Sequence, residues 1–270
     1  MNHVIFDFLW YMGRLILLTL GTVVVCGFAV RLCSRLFASL SGSGSGAVFD
    51  VTSIIGTPIH ELGHAVMCPL FGHKIQKIKL WSPKAENGVY GYVEHSYNRR
   101  NLWARLGNLF IGVGPIFSGL GVVVLMLWLC FPTQWSDYLT ASRTLLAEGT
   151  TVGELATGIF SLLCALPRAF ARSWWRALLG LLVILPVSLH ITLSWEDIKG
   201  SVSALPMYFL MLFVFALVTY CVGVSVSVTA GLWLFNLRVL SLFGVVIAFA
   251  AVWVVIALLI RFVRIAIRWF

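Results

Sequence analysis

Long apolar runs dominate the chain, and polar residues collect in the gaps between them. A helix that crosses a bilayer needs about 20 mostly apolar residues, and six stretches qualify: roughly 8–30, 47–71, 104–131, 173–194, 203–227 and 238–262. Ser41-Gly42-Ser43-Gly44-Ser45-Gly46 reads as a flexible connector between the first two. The gap at 72–103 differs from the rest. Ile75 to Leu80 partly alternates, and Asn87-Gly88 precedes the β-rich run Val89-Tyr90-Gly91-Tyr92-Val93, which predicts a small hairpin or sheet at the membrane surface. Residues 132–172 form a second gap, predicted to lie outside the membrane as short helices. The pattern gives an all-α polytopic membrane protein of about six transmembrane helices with a β insert after the second. The chain reads as a single membrane domain, with segments 1–46, 47–131, 132–172 and 173–270.

The second apolar run is broken by polar residues at helical spacing. Asp50, Ser53, Thr57, His60, His64 and Cys68 recur every three or four positions, a stripe that faces the bundle interior. Pro58 removes a backbone donor and is expected to kink this helix or start a new one. Within the stripe stands His60-Glu61-Leu62-Gly63-His64. Two histidines four apart lie one turn apart on one face, where both can reach a single zinc ion. The intervening Glu61 is placed to take a proton from an activated water, as in metalloproteases with this spacing. Ionisable residues inside a span are costly and mark a functional site.

A catalytic zinc takes three protein ligands. His73, Glu94, His95, His190, Glu196 and Asp197 are the candidates for the third. The turn Ser194-Trp195-Glu196-Asp197-Ile198-Lys199-Gly200 returns to the side of the membrane nearer the histidines. We choose Asp197 there, with Glu196 and His190 as alternatives. The competing reading makes Glu196 and Asp197 caps of the following helix, where carboxylates suit the positive end.

Composition supports the membrane class: 60% of the 270 residues are hydrophobic and 11% charged. A net charge of +9 would suit nucleic acid, but membrane proteins keep such charge in cytoplasmic loops, and no nucleic-acid partner is expected. With six crossings, twelve of the nineteen Lys and Arg residues share the side of the two termini, which places both ends in the cytoplasm. The first 13 residues carry Asp7 and no Lys or Arg, and no small-residue cleavage site follows, so the first span is read as retained. Six cysteines without a CxxC pair read as buried free thiols.

Three pieces together resemble the site-2 protease family of intramembrane zinc metalloproteases. They are His60-Glu61-Leu62-Gly63-His64 in one membrane helix, Gly114-Pro115-Ile116-Phe117-Ser118 in the next, and the later Asp197-Ile198-Lys199-Gly200. The resemblance covers about half the chain. It implies one Zn²⁺ held by His60, His64 and Asp197, with Glu61 as general base, and a membrane-protein substrate whose transmembrane helix is cut within the bilayer. Ile198 stands where the family has Gly after the aspartate, Val113 where it has Ala, and Ser118 where it has Asn. Gly91-Tyr92-Val93-Glu94-His95-Ser96-Tyr97-Asn98 is similar to a stretch in divergent bacterial members, which implies a bacterial cytoplasmic membrane. His95, Asn108, Pro115 and Ser118 are candidates to touch substrate or support the metal ligands. Gly107, Gly112, Gly114 and Gly119 are expected to let helices approach closely. A transporter or channel, or a non-catalytic zinc-binding membrane protein, are the other readings of the same polar stripe.

Overall fold

The computed structural model describes residues 2–83, 89–148 and 152–269. It is predominantly helical. A first helix runs as α1 (Asn2–Ile16), a π-helical turn (Leu17–Gly21) and α2 (Thr22–Ser41). After a 3₁₀ turn at Gly42–Gly44 come α3 (Ser45–Leu70), β1 (Lys74–Lys79), β2 (Tyr92–Ser96) and α4 (Leu102–Cys130). The chain continues through α5 (Pro132–Glu148), α6 (Val152–Arg172), α7 (Trp174–His190), α8 (Trp195–Val202), α9 (Leu205–Cys221) and α10 (Ser225–Trp269).

The six apolar stretches are mostly helical, but the fifth, 203–227, breaks between Cys221 and Ser225, the fourth, 173–194, stops being helical after His190, and they are not equivalent as membrane spans. Among the described residues three helices are long and apolar enough to cross a bilayer: His3–Ser41, Leu102–Cys130 and Ser225–Ile267. The pair α7 and α8, bent by 57° at a short break, would make a fourth as one broken span. The 26-residue α3 is long enough, but Asp50, His60, Glu61 and His64 dilute its apolar character. Its outer face remains oily, with Val51, Ile54, Leu62, Val66 and Leu70 exposed. Such exposed Leu, Val and Ile suit lipid, because hydrocarbon penalises polar groups and not these side chains.

The two longest helices run parallel. Asn236 of α10 donates to the Leu18 carbonyl near one end of the pair, and Arg264 donates to the Ser41 carbonyl at 3.3 Å near the other. If both cross the membrane, they cross in the same sense. A chain of six full crossings with both termini on one side would instead make its first and last spans antiparallel.

The Gly/Ser stretch expected as a linker closes a tight helical reversal. Ser41 ends α2, Gly42 adopts φ 59°, and Ser45 opens α3, its Oγ donating to the Gly42 carbonyl at 2.7 Å. Positive φ is the conformation that glycine takes without steric cost. Pro58 does not start a new helix: α3 continues through it.

β1 and β2 pair antiparallel, with a bulge between Ile75 and Lys77. The second strand lies later than the Val89–Val93 expected from sequence. Tyr90 is drawn down to α3, where its hydroxyl donates to Asp50 Oδ1 at 2.6 Å. Gly91 is wedged between the Lys79 and Leu80 carbonyls and Glu61 of the same helix, and the continuous β2 ladder begins at Tyr92 after an isolated bridge at Val89. Asn87-Gly88 lies outside the described residues.

Candidate metal centre

Helix α3 carries the motif, and α4 holds α3 in place. The two cross at Gly63 and Gly114, so closely that a methyl on Gly63 would sit 2.6 Å from the Gly114 carbonyl oxygen. No other residue type fits without moving backbone. Of the polar stripe, Ser53, Thr57, His64 and Cys68 are buried and His60 is half-buried, with Glu61 buried beside them. Asp50 at its outer end is exposed and receives the Tyr90 hydroxyl.

The third element arrives through a helix break. α7 stops at His190, and four residues later Ser194 caps α8. The cap is reciprocal: Ser194 Oγ accepts from the Asp197 amide at 3.0 Å, and Asp197 Oδ2 accepts from the Ser194 amide at 2.8 Å. This is a capping box with Asp at its third position. A helix end leaves carbonyls without intrahelical partners. Here α2 takes carbonyls at the break: Ser34 Oγ donates to the Leu189 carbonyl in the last turn of α7 at 2.9 Å, and Arg31 Nη1 to the Leu193 carbonyl within the break at 2.6 Å. Gly112 of α4 lets α8 dock, since a methyl there would lie 2.7 Å from the Asp197 carbonyl oxygen. Ser201 Oγ, donating to that same carbonyl at 2.7 Å, packs against Gly112.

Docking brings Asp197 to the two histidines. His64 Nε2 lies 3.1 Å from Asp197 Oδ1, and His60 Nε2 lies 3.7 Å from Oδ2. One ligand atom from each of the three residues falls within 4.8 Å of the others, so the group can hold a metal ion. The aspartate thus does both things weighed from sequence: it caps α8 and faces the histidines.

Each imidazole is oriented from behind. His64 Nδ1 lies 2.7 Å from the Ile111 carbonyl oxygen, and His60 Nδ1 lies 2.9 Å from that of His190. A carbonyl only accepts, so each Nδ1 carries the proton and each Nε2 turns its lone pair inward, as a metal ligand requires. Both carbonyls are available because a helix is interrupted. Pro115 has no amide proton to offer the residue four before it, which is Ile111. His190 ends α7.

No protein family, curated protein or solved structure matches this chain. What the site can do must be read from its own geometry.

A cavity of about 560 Å³ opens beside the three residues. Its wall includes Glu61, Tyr90, Gly91, His95, Asn108 and His190. Glu61 is 7% exposed, and the Gly91 backbone passes directly over its side chain. The other candidates are occupied elsewhere. His190 Nε2 is 3.1 Å from Thr52 Oγ1, and Glu196 pairs with Lys199 at 3.1 Å on the exposed face of α8. Glu94 pairs with Lys77 at 3.5 Å across the sheet, and His73 with His95. Asn108 lines the cavity and also donates to Ser203 Oγ at 3.1 Å. Ser118 points away from it, donating to the Ile59 carbonyl at 2.7 Å to tie α4 to α3. All four glycines singled out from sequence sit at close contacts: Gly107 on Phe71, Gly112 on Ser201, Gly114 on Gly63 and Gly119 on Ile191. Sequence reading missed the supporting carbonyls of Ile111 and His190. The first had a signal, a proline four residues downstream; the second appears only once α7 is seen to end there.

Proposed function

We propose that this protein is a membrane-embedded zinc-dependent endopeptidase of the kind the site-2 proteases represent, cutting a membrane-protein substrate within or beside its transmembrane helix. The observation that carries the reading is the convergence of His60, His64 and Asp197, from segments more than 130 residues apart, immediately beside the buried carboxyl of Glu61. The donor set of two imidazoles and a carboxylate suits zinc at a catalytic site with an open position. Zinc bound there supplies a Lewis acid that polarises a carbonyl and lowers the pKa of water to about 7.

The chain's own groups do the rest. The Glu61 carboxylate accepts a proton from the attacking water and delivers it to the amine nitrogen that leaves. The Ile111 and His190 carbonyls hold the His64 and His60 rings against rotation while charge develops. A substrate helix keeps its backbone bonds internal and must unwind before its peptide carbonyl is accessible. The two-stranded sheet beside the cavity offers an edge on which an unwound segment can pair as a further strand. Placement in a bacterial cytoplasmic membrane, with the bilayer as partner, completes the proposal.

Glu61→Gln separates metal binding from chemistry. Purified in bilayers with zinc, the variant should retain the metal and lose cleavage of a single-span peptide by at least about 100-fold, the range for removing a general base. Undiminished cleavage would contradict the mechanism.

A further inference from the structure

A second pair of histidines lies outside the metal group, and its hydrogen bonds fix which nitrogen of His95 is left without a proton. His73 follows α3, is buried, and is clamped on all sides. Tyr97 stacks on its ring with centroids 4.6 Å apart. Gly107 leaves the room it occupies, since a methyl there would come 3.1 Å from His73 Nε2. That Nε2 lies 2.7 Å from the Ala104 carbonyl oxygen. A carbonyl cannot donate, so His73 donates from Nε2, and as a neutral ring it accepts at Nδ1. His95 Nδ1 lies 2.9 Å from that acceptor. His95 must therefore carry its proton on Nδ1 and leave Nε2 bare. Among the described residues no carboxylate forms an ion pair with either ring, so nothing offsets the cost of charging them in a partly buried place. Burial first, then the neighbouring His73 and His64, hold the His95 pKa below its ordinary value, which agrees with a neutral ring.

His95 is also on the inward face of β2. The strand alternates, with Tyr92, Glu94 and Ser96 exposed and Val93 and His95 half-buried, and Val93 and His95 line the cavity together with Tyr92 at the strand's start. We infer that His95 Nε2 is a fixed hydrogen-bond acceptor for a backbone N–H of the unwound chain in the cavity, and that His73 is the positioning residue that sets its tautomer. This rests on the proteolytic reading for the identity of the occupant. An unwound segment brings amide protons into a site with little water, where each needs an acceptor. A peptide carbonyl would find no donor at His95, so the relay also selects which face of the chain lies against β2.

The test uses zinc-loaded Glu61→Gln protein in phosphatidylcholine bilayers, so that binding is read without turnover. The probe is a fluorescent single-span peptide with a glycine-rich centre. Two substitutions of His73 divide its roles. In His73→Asn the amide oxygen stands near the former Nδ1 and still accepts from His95, while the bond to Ala104 is lost. In His73→Gln the amide reaches the Ala104 carbonyl, and His95 loses its acceptor. Nitrogen-15 spectra of the histidines should show His95 protonated at Nδ1 in the parent and in His73→Asn, and a tautomer mixture in His73→Gln. Peptide affinity should fall about three- to tenfold in His73→Gln and in His95→Leu, the worth of one hydrogen bond, and hold in His73→Asn, with zinc content unchanged throughout. An Nε2-protonated His95 in the parent would overturn the inference, as would equal affinity in all variants or zinc loss in His95→Leu. Wild-type protein that binds the peptide with this pattern but never cleaves it would sink the proteolytic reading and leave the acceptor standing.

Discussion

The metal group has two halves built on different principles. His60 and His64 come from one turn of α3, and their proximity follows from helical periodicity alone. Asp197 comes from the start of an eight-residue helix after a 57° break, and its place depends on docking. Five consecutive residues encode the first half. The second needs Ser194 to start α8, Gly112 to let α8 approach, and Arg31 and Ser34 to hold the carbonyls that the break exposes. The local half should be robust to substitutions in surrounding helices and the docked half sensitive to them.

The largest effect should come from the docked ligand itself. Asp197→Ala removes ligand and cap together, and zinc affinity should fall by more than the 10- to 100-fold typical of groups behind the ligands, roughly 1,000-fold. Glu196→Ala, beside it but exposed and paired with Lys199, should bind zinc as the parent does in an equilibrium titration. Equal losses would mean that α8 as a whole, and not the Asp197 carboxylate, is what matters. Next comes the crossing that both halves share. Gly63→Ala and Gly114→Ala each drive a methyl into facing backbone and should cost about 1–3 kcal/mol of stability. Gly121→Ala, on the same helix with open space around it, should cost nothing in thermal unfolding.

A smaller effect tests the support behind the local half. Pro115→Ala restores an amide proton that competes for the Ile111 carbonyl and loosens His64. Zinc affinity should weaken up to about tenfold, the low end for such supporting groups, with the fold intact. The smallest effect concerns the insert. A His95 pKa held below 6.5 in the folded protein means the unfolded chain takes the proton first. Its contribution to stability is full above about pH 6.5 and is lost as pH falls toward the folded value. His95→Gln should therefore flatten, by a degree or two, the fall of Tm between about pH 6.5 and 5. Tyr90 behaves oppositely, its hydroxyl pushed up to about 12 by the bond to Asp50, then burial and the Asp50 charge, so it stays protonated throughout this range.

The same division explains what could be read from sequence. The polar stripe and the α3 motif were legible because a single period of 3.6 generates both. The mostly helical nature of the six apolar runs was legible from their length and composition. The number of true spans was not, because α7 and α9, at 17 residues each, are short and α3 is diluted by its own site. Asp197 could be nominated from Ser194-Trp195-Glu196-Asp197, yet its distance from the histidines depends on glycine contacts between helices far apart in the chain. The strand at Tyr92–Ser96 was misplaced by three residues because Tyr90 and Gly91 answer to α3, not to β propensity. The parallel course of α2 and α10 has no local signal at all.

Zinc bound per chain, measured by mass spectrometry on protein purified in detergent and compared with His64→Ala and Asp197→Ala, tests the central claim most directly. One zinc is expected in the parent and almost none in either variant. A parent without zinc, or an Asp197→Ala protein that keeps it, would contradict the three-residue centre on which the proposed chemistry stands.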